Sequence, residues 1–462
     1  MKNTSKSGIK DLTQGNIYKT FLLFAIPLIL SGFLSQAYSI IDTIIAGKAL
    51  SEHGLAAIGA TSALNTLLSS IFWGYGTGYS IYLARLFGAK DYKRLKTSIY
   101  VNYSAMILAI ILVSILIVFF KEPIFDVLKI DTAIREDAGI YFVICTLGLV
   151  CTLMSYNGVY IMNALGNSSY PFWMSVISTV LNIGGNLFTV FILKWGVAGL
   201  AISTVFSALV VDIFYFAEIK KCLKIMGVDK YKIIVNLKTI KAGSIYSLPT
   251  TIQQTLMYLA SLVISPMVNG IGSSATAAYV ICQKMHDVNA TLFQNSSKTV
   301  SNYIAQSMGA KKYQNIQRGL RVGFLQGTLF VLPVLIFSSL NAEWCCSMFV
   351  STKSGDAGLQ MAIVFTKYFL PFILFNMVNN LFHSFYRGIA AMYLLMISSF
   401  IGSAAQIGAT YYAVPLYGMN GVYIGWAVSW IVECLFSLVI YFSGIWKTKE
   451  IRMAEQSVDI TG

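Results

Sequence analysis

The chain has 462 residues, 56% of them hydrophobic and only 11% charged, with a mean hydropathy of +0.68. Soluble domains carry about a quarter charged residues, so this composition excludes a soluble globular protein and points to a membrane one. The net charge of +14 would suit nucleic acid if it formed a stripe on one face; it gathers instead in loops on one side of the apolar runs, which excludes nucleic acid as a partner.

Crossing a bilayer takes about 20 apolar residues in a helix. Twelve runs of that order succeed one another, near 18–47, 54–83, 97–120, 136–162, 171–193, 196–219, 241–269, 274–304, 319–340, 359–386, 391–413 and 418–446. They are too long and too unalternating for barrel strands, so the predicted fold is all-α with twelve transmembrane helices. The leading MKNTSKSGIKDLTQGN is polar and precedes a span too long for a signal-peptide core, so no cleaved leader is expected. Counted from a cytoplasmic N-terminus, most of the 33 Lys and Arg fall on the cytoplasmic side, among them Arg85, Lys90, Lys220, Lys221, Lys311 and Lys312. Lys48, Lys121, Lys129, Arg135, Lys194, Lys353 and Lys367 fall on the other. That asymmetry predicts a multi-pass protein of the cytoplasmic membrane with both termini in the cytoplasm.

Of the 19 acidic residues, only Asp42, Asp212, Asp287 and Glu433 sit well inside a span, and each should face protein or water rather than lipid. The first span carries Asp42 in YSIIDTIIAG, in its outer half. At a similar depth the fifth span holds Asn182 and Asn186, four apart and so on one helix face, and the sixth holds Ser203 and Thr204. A carboxylate, two amides and hydroxyls thus form one candidate cluster. It reads either as a reversible cation site, in which Asp42 takes up a proton or the oxygens hold a sodium ion, or as a static network pinning three helices. No Lys or Arg lies at that depth in this half to neutralise Asp42, which favours the cation site. Asp212, followed by Lys220 and Lys221, is compatible with a salt-bridged structural role.

Between the sixth and seventh spans lies a Lys-rich linker at 226–240. The seventh span has Gln253 and Gln254. On the eighth, Lys284, Asp287, Thr291, Asn295, Lys298 and Asn302 recur at steps of three and four, a continuous polar stripe that should line a wetted cavity. Lys284 and Asp287 either neutralise each other or serve the cavity as charged groups. Asn376, Asn379 and Asn380 of the tenth span and Glu433 of the twelfth are candidates for the same wall. His286 and His383 are candidates for protonation. No metal-ligand or nucleophile spacing appears, and His286 and Asp287 point about 100° apart on a helix, so an enzyme is excluded and no cofactor is expected. The seven cysteines lack CxxC spacing and read as small apolar fillers.

A repeat organises these features. ARLFGAKDYKRL (84–95) and AQSMGAKKYQNI (305–316) align at an offset of 221; Pro27 with Pro249, Gly166 with Gly388, and WGVAGLA (195–201) with YGMNGVY (417–423) align at 222. Two six-helix lobes follow, 1–225 and 241–462, entering the membrane in the same sense because six is even, and two such bundles around a central cleft suit alternating access.

The segment PLILSGFLSQAYSIIDTIIAG followed by LAAIGA, the paired GAKDY and GAKKY loops, and GNSSYP (166–171) resemble the multidrug and toxic compound extrusion (MATE) family. The resemblance covers nearly the whole chain. It implies an antiporter in which entering sodium ions or protons drive export of small organic, often cationic, compounds, working among membrane lipids as a monomer. It also implies a cation-coupling set of Asp42, Asn182, Asn186 and Thr204, with Asp42 as a sodium ligand where sodium is the ion. Gln253, Gln254, Lys284, Asp287, Asn295, Asn376 and Glu433 would then line the substrate cavity, and Pro27 matches the first-helix proline associated with bending. Asn186 stands where many relatives carry Asp, and Gln253, Gln254 and Asn376 stand where the NorM-like branch has acids, so the chain is more similar to the DinF-like and MepA-like branches. The alternative reading is a flippase of a lipid-linked precursor from the wider superfamily, whose cationic cleft would use Lys284, Lys298 and Arg387.

Overall fold

A computed structural model describes residues 8–50, 52–128, 130–233, 237–349, 357–447 and 451. Among them all regular structure is helical. The long helices are α1 (Ile17–Ala49), α2 (Glu52–Gly88), α3 (Tyr92–Phe119), α4 (Arg135–Ala164), α5 (Ser169–Ile192), α6 (Gly196–Ile225), α7 (Leu237–Ile271), α8 (Ser273–Gly309), α9 (Asn315–Leu340), α10 (Ala357–Gly388), α11 (Met392–Tyr417) and α12 (Met419–Ser443). Eleven are long and apolar enough to cross a membrane. α8 falls short of that hydropathy because of its polar stripe, yet at 37 residues it is among the longest. Apolar side chains left exposed on α3, such as Leu108, Leu112, Ile115 and Leu116, would be intolerable in water and mark a lipid-facing surface. Lys129, Lys353 and residues 234–236 of the linker lie outside the described residues.

Backbone geometry carries the repeat as clearly as the sequence does. Lys90 and Lys311 both adopt a left-handed conformation, at φ 58° and 57°, and so do Gly196 and Gly418, at 57° and 56°. Each lysine closes its preceding helix in the same way, with Asp91 N–H donating to Leu86 C=O and Lys312 N–H to Ser307 C=O, a Schellman closure. α3 then starts from Asp91, whose side chain accepts from Arg94 N–H at 3.1 Å.

Two spans are interrupted where the expectation was a single run. α5 passes into a π-helical turn over Leu187–Ile192. α10 passes from Ala357–Val364 through a π turn and a 3-10 turn, Leu370–Phe372, to Ile373–Gly388. Pro371 supplies no N–H and accounts for the second break.

Two compact units emerge. One comprises residues 1–11 and 30–251, the other 12–29 and 252–462. The chain passes from one unit to the other two residues after Pro27 and again two residues after Pro249. In the first unit, Leu68, Met106, Ile110, Leu149, Leu153 and Met154 form one buried cluster, and Ile45, Ala46, Val190 and Leu200 another. The second unit holds the chain's opening segment by long-range contacts. Leu12 N–H donates to Gln306 Oε1 at 2.9 Å, Gln326 Nε2 to the Phe21 carbonyl at 3.3 Å, and Phe21 packs edge-on against Tyr303.

Candidate cation site

In the first unit three helices bring the polar cluster together. Two features let α5 and α6 close on each other: a Cβ at Gly185 would sit 3.0 Å from Ser203 Oγ, and one at Gly199 would sit 2.9 Å from Thr189 Oγ1. Small residues at a membrane helix interface permit such an approach. Asn182 and Asn186 on α5 are buried at 2% and 0% exposure. Asn186 Nδ2 donates to Asp42 Oδ1 of α1 at 2.7 Å and to Asn182 Oδ1 at 2.8 Å. Asn182 Nδ2 donates to Thr204 Oγ1 of α6 at 3.1 Å, and Thr204 donates on to the Leu200 carbonyl. All four residues of the expected set therefore form one hydrogen-bonded chain. Ser203 stands beside it, bonded to Thr189 at 3.1 Å.

Two properties distinguish this chain of contacts from a closed structural network. Asp42 makes no ion pair among the described residues, and Asn186 Oδ1 is buried without a hydrogen-bond partner. A buried carbonyl oxygen left unsatisfied next to a carboxylate is costly unless something positive arrives there. Tyr38, one turn before Asp42 on α1, faces both Asp42 and Thr204, and Tyr141 and Cys145 of α4 lie close to Asp42. Sequence reasoning missed these groups. The spacing of Tyr38 from Asp42 was the available signal, because residues four apart share a helix face.

Asp212 is held differently from the expectation. Ser155 of α4 donates to its Oδ1 at 2.7 Å. Lys221 pairs instead with Glu218 at 3.1 Å and Lys220 lies over the Phe216 ring, so the salt bridge to Asp212 is not formed. The carboxylate points across to α4 rather than along α6 toward the lysines.

The candidate cavity residues of the second unit do not form one cluster. His286 of α8 contacts Asn376 of α10 at 3.2 Å, and Asn376 accepts from Asn380. Asp287 is nearly half exposed, and its carboxylate lies 3.3 Å from His286 Nδ1 with no ion pair to Lys284; mutual neutralisation of Lys284 and Asp287 is not what the structure contains. Asn295 accepts from Lys298 at 2.9 Å. Gln253 is buried at 2% with its Nε2 against Met257, and Gln254 is half-buried. Glu433 is buried in the seam between α10 and α12, 3.1 Å from His383.

The family model MatE matches residues 27–188 and again 249–412, one copy per repeat, each beginning on the equivalent proline. The chain belongs to the MatE family. Among curated relatives, a probable multidrug resistance protein of Bacillus subtilis, YoeA, is 22% identical over 94% of this chain and 96% of its own length. The multidrug export protein MepA of Staphylococcus saprophyticus is 20% identical over 93% and 94%. Among solved structures, a mutant of the Vibrio cholerae MATE transporter VcmN superposes with a TM-score of 0.87 at 16% identity, over 94% of this chain and 98% of that one. MepA is named as an export protein and VcmN as a transporter, and MatE proteins are transporters rather than enzymes. As a MatE protein, the chain has the all-helical, two-repeat fold that its sequence predicted.

Proposed function

We propose that this MatE protein is an antiporter that exports small organic compounds, often cationic, and that the entering ion binds at Asp42. The observation that carries the reading is the part-buried Asp42–Asn186 contact, a single carboxylate without an ionic partner among the described residues beside a buried, unsatisfied amide oxygen. Multidrug export is what the name of MepA describes and multidrug resistance what that of YoeA describes, and both support the substrate class.

The donor set suits a proton. Asn182 Oδ1 already accepts from Asn186, and Thr204 is committed to Asn182 and Leu200. A sodium ion would have to strip several of these bonds to gather its oxygens. A proton on Asp42 needs one acceptor, and the Asn186 carbonyl oxygen is free to become it after a turn of the amide. Protonation then replaces the Asn186-to-Asp42 bond by its reverse and changes how α1 is held against α5, with the π turn after Asn186 and Pro27 in α1 as the places where backbone can yield. Ion occupancy and substrate occupancy would thereby favour different conformations, the requirement for antiport. We place the protein in the cytoplasmic membrane as a monomer with both termini inside, its lobes at 1–225 and 241–462 alternating in access.

The test uses purified protein in sealed vesicles loaded with a fluorescent organic cation, with a pH gradient and a sodium gradient imposed separately. Movement driven by the pH gradient and lost in Asp42→Asn is the expected result. Uphill movement that persists in a correctly inserted Asp42→Asn variant overturns the assignment, and movement under the sodium gradient alone overturns the choice of proton.

A further inference from the structure

The second unit buries an ionisable pair of its own, on α10 and α12. His383 Nε2 of α10 lies 3.1 Å from Glu433 Oε1 of α12, with side chains only 7% and 12% exposed. Asn379 Nδ2, one turn earlier on α10, donates to the other carboxyl oxygen at 3.3 Å and to the Trp430 carbonyl at 3.0 Å. From α11, Ser398 Oγ stands 3.2 Å from the same His383 Nε2 and 3.3 Å from Ser437 Oγ. Gly402, one turn along α11, makes room for the carboxyl: a Cβ there would lie 3.1 Å from both Cδ and Oε2 of Glu433. Three helices thus converge on one imidazole and one carboxyl, with a line of two hydroxyls leading away.

We propose that His383 and Glu433 form a proton-binding centre of the second unit, separate from Asp42, that takes part in setting the pH range over which transport runs. With one proton between Nε2 and Oε1 the pair is neutral overall, whichever atom carries it. Loss of that proton leaves a buried negative charge, and gain of another leaves a buried positive one, each costly at this depth. The transition between these states therefore repacks the seam of α10, α11 and α12.

Few other ionisable groups face the pair. α11 contains no Asp, Glu, Lys, Arg or His. α12 adds the Cys434 thiol beside Glu433. α10 carries Arg387 one turn beyond His383, and Tyr386, whose hydroxyl donates to the Ser437 carbonyl. α8, on another side of α10, brings Lys298 near Arg387, and α9 carries Arg318 and Arg321 near its start. None of these supplies a second acid. The first unit places an acid in a related position, Asp212 on α6, but a serine faces it in place of an imidazole.

The binding claim is independent of the antiport reading; only its link to transport rests on it. The chain has three histidines, so nitrogen-15 histidine labelling of the full-length protein in detergent resolves each imidazole by NMR, with His53 and His286 as internal references. In Glu433→Gln, the His383 titration midpoint is expected to move by about one pH unit or more, a tenfold change in proton affinity, while His53 and His286 stay where they were. An unchanged His383 midpoint, or an imidazole that does not titrate in either protein, overturns the proposal. Glu433→Asp keeps the charge and draws the carboxyl back, and gives the same test where Glu433→Gln folds poorly. In vesicles, the paired variant His383→Gln with Glu433→Gln is expected to shift the pH profile of efflux with Asp42 intact. A profile unchanged in an otherwise active variant overturns the transport link. Failure of Asp42→Asn to abolish efflux would remove Asp42 as the ion site and leave the NMR result standing.

Discussion

One amide nitrogen, Nδ2 of Asn186, bonds both Asp42 at 2.7 Å and Asn182 at 2.8 Å. Both of its hydrogens are committed, so this one side chain of α5 joins Asp42 of α1 to Asn182 and through it to Thr204 of α6, and its own oxygen is left over to answer any change in Asp42.

Asn186→Ala removes that tie. It leaves the Asp42 carboxylate and the Asn182 carbonyl short of a donor, at a cost of about 1–3 kcal/mol. We expect a lowered melting temperature in detergent and loss of gradient-driven efflux. A variant as stable and as active as the parent would show the Asp42–Asn186 bond to be incidental.

Gly185→Leu tests the approach of α5 to α6. The added side chain meets Ser203, whose Oγ and Cβ lie 3.0 and 3.1 Å from an ideal Cβ, and overpacking of this kind costs about 1–3 kcal/mol. Spreading the two helices should also separate Asn182 from Thr204. Thermal unfolding reads the first effect, and the efflux rate at a fixed pH gradient reads the second.

Pro27→Ala restores an N–H that can reach the Leu23 carbonyl within α1. Helix propensity favours the change by about 3 kcal/mol, so the variant should be at least as heat-stable as the parent. If bending at Pro27 is part of the cycle, efflux falls while binding of the fluorescent cation is retained. Full efflux from the straightened helix would rule the hinge out.

Asp42, Asn182, Asn186 and Thr204 were legible because three simple rules agree on them: depth within a span, the four-residue period of α5, and the lack of any basic residue nearby. The repeat was legible for a similar reason, since glycine, proline and the GAK turns mark fixed backbone shapes, as Lys90 and Lys311 show. His383 and Glu433 stood in the sequence as unrelated candidates, one for protonation and one for the cavity wall. Their meeting depends on which faces of α10 and α12 pack together, and helical period alone does not fix that. Lys284 and Asp287 failed the opposite way. Spacing of three permits a pair, but the His286 ring, stacked on Trp430, lies nearer to the carboxylate. The π turn of α5, over Leu187–Ile192, has no local signature in the sequence.

The contacts of the opening segment have a consequence for how the protein is made. Leu12 finds Gln306 across 294 residues of sequence, and Phe21 finds Tyr303 and Gln326 across comparable distances. At roughly 5–20 residues per second of synthesis, Leu12 and Phe21 wait on the order of 15 to 60 seconds before their partners exist. Residues 12–29 are thus translated long before the segments they pack against and are among the last to be able to settle.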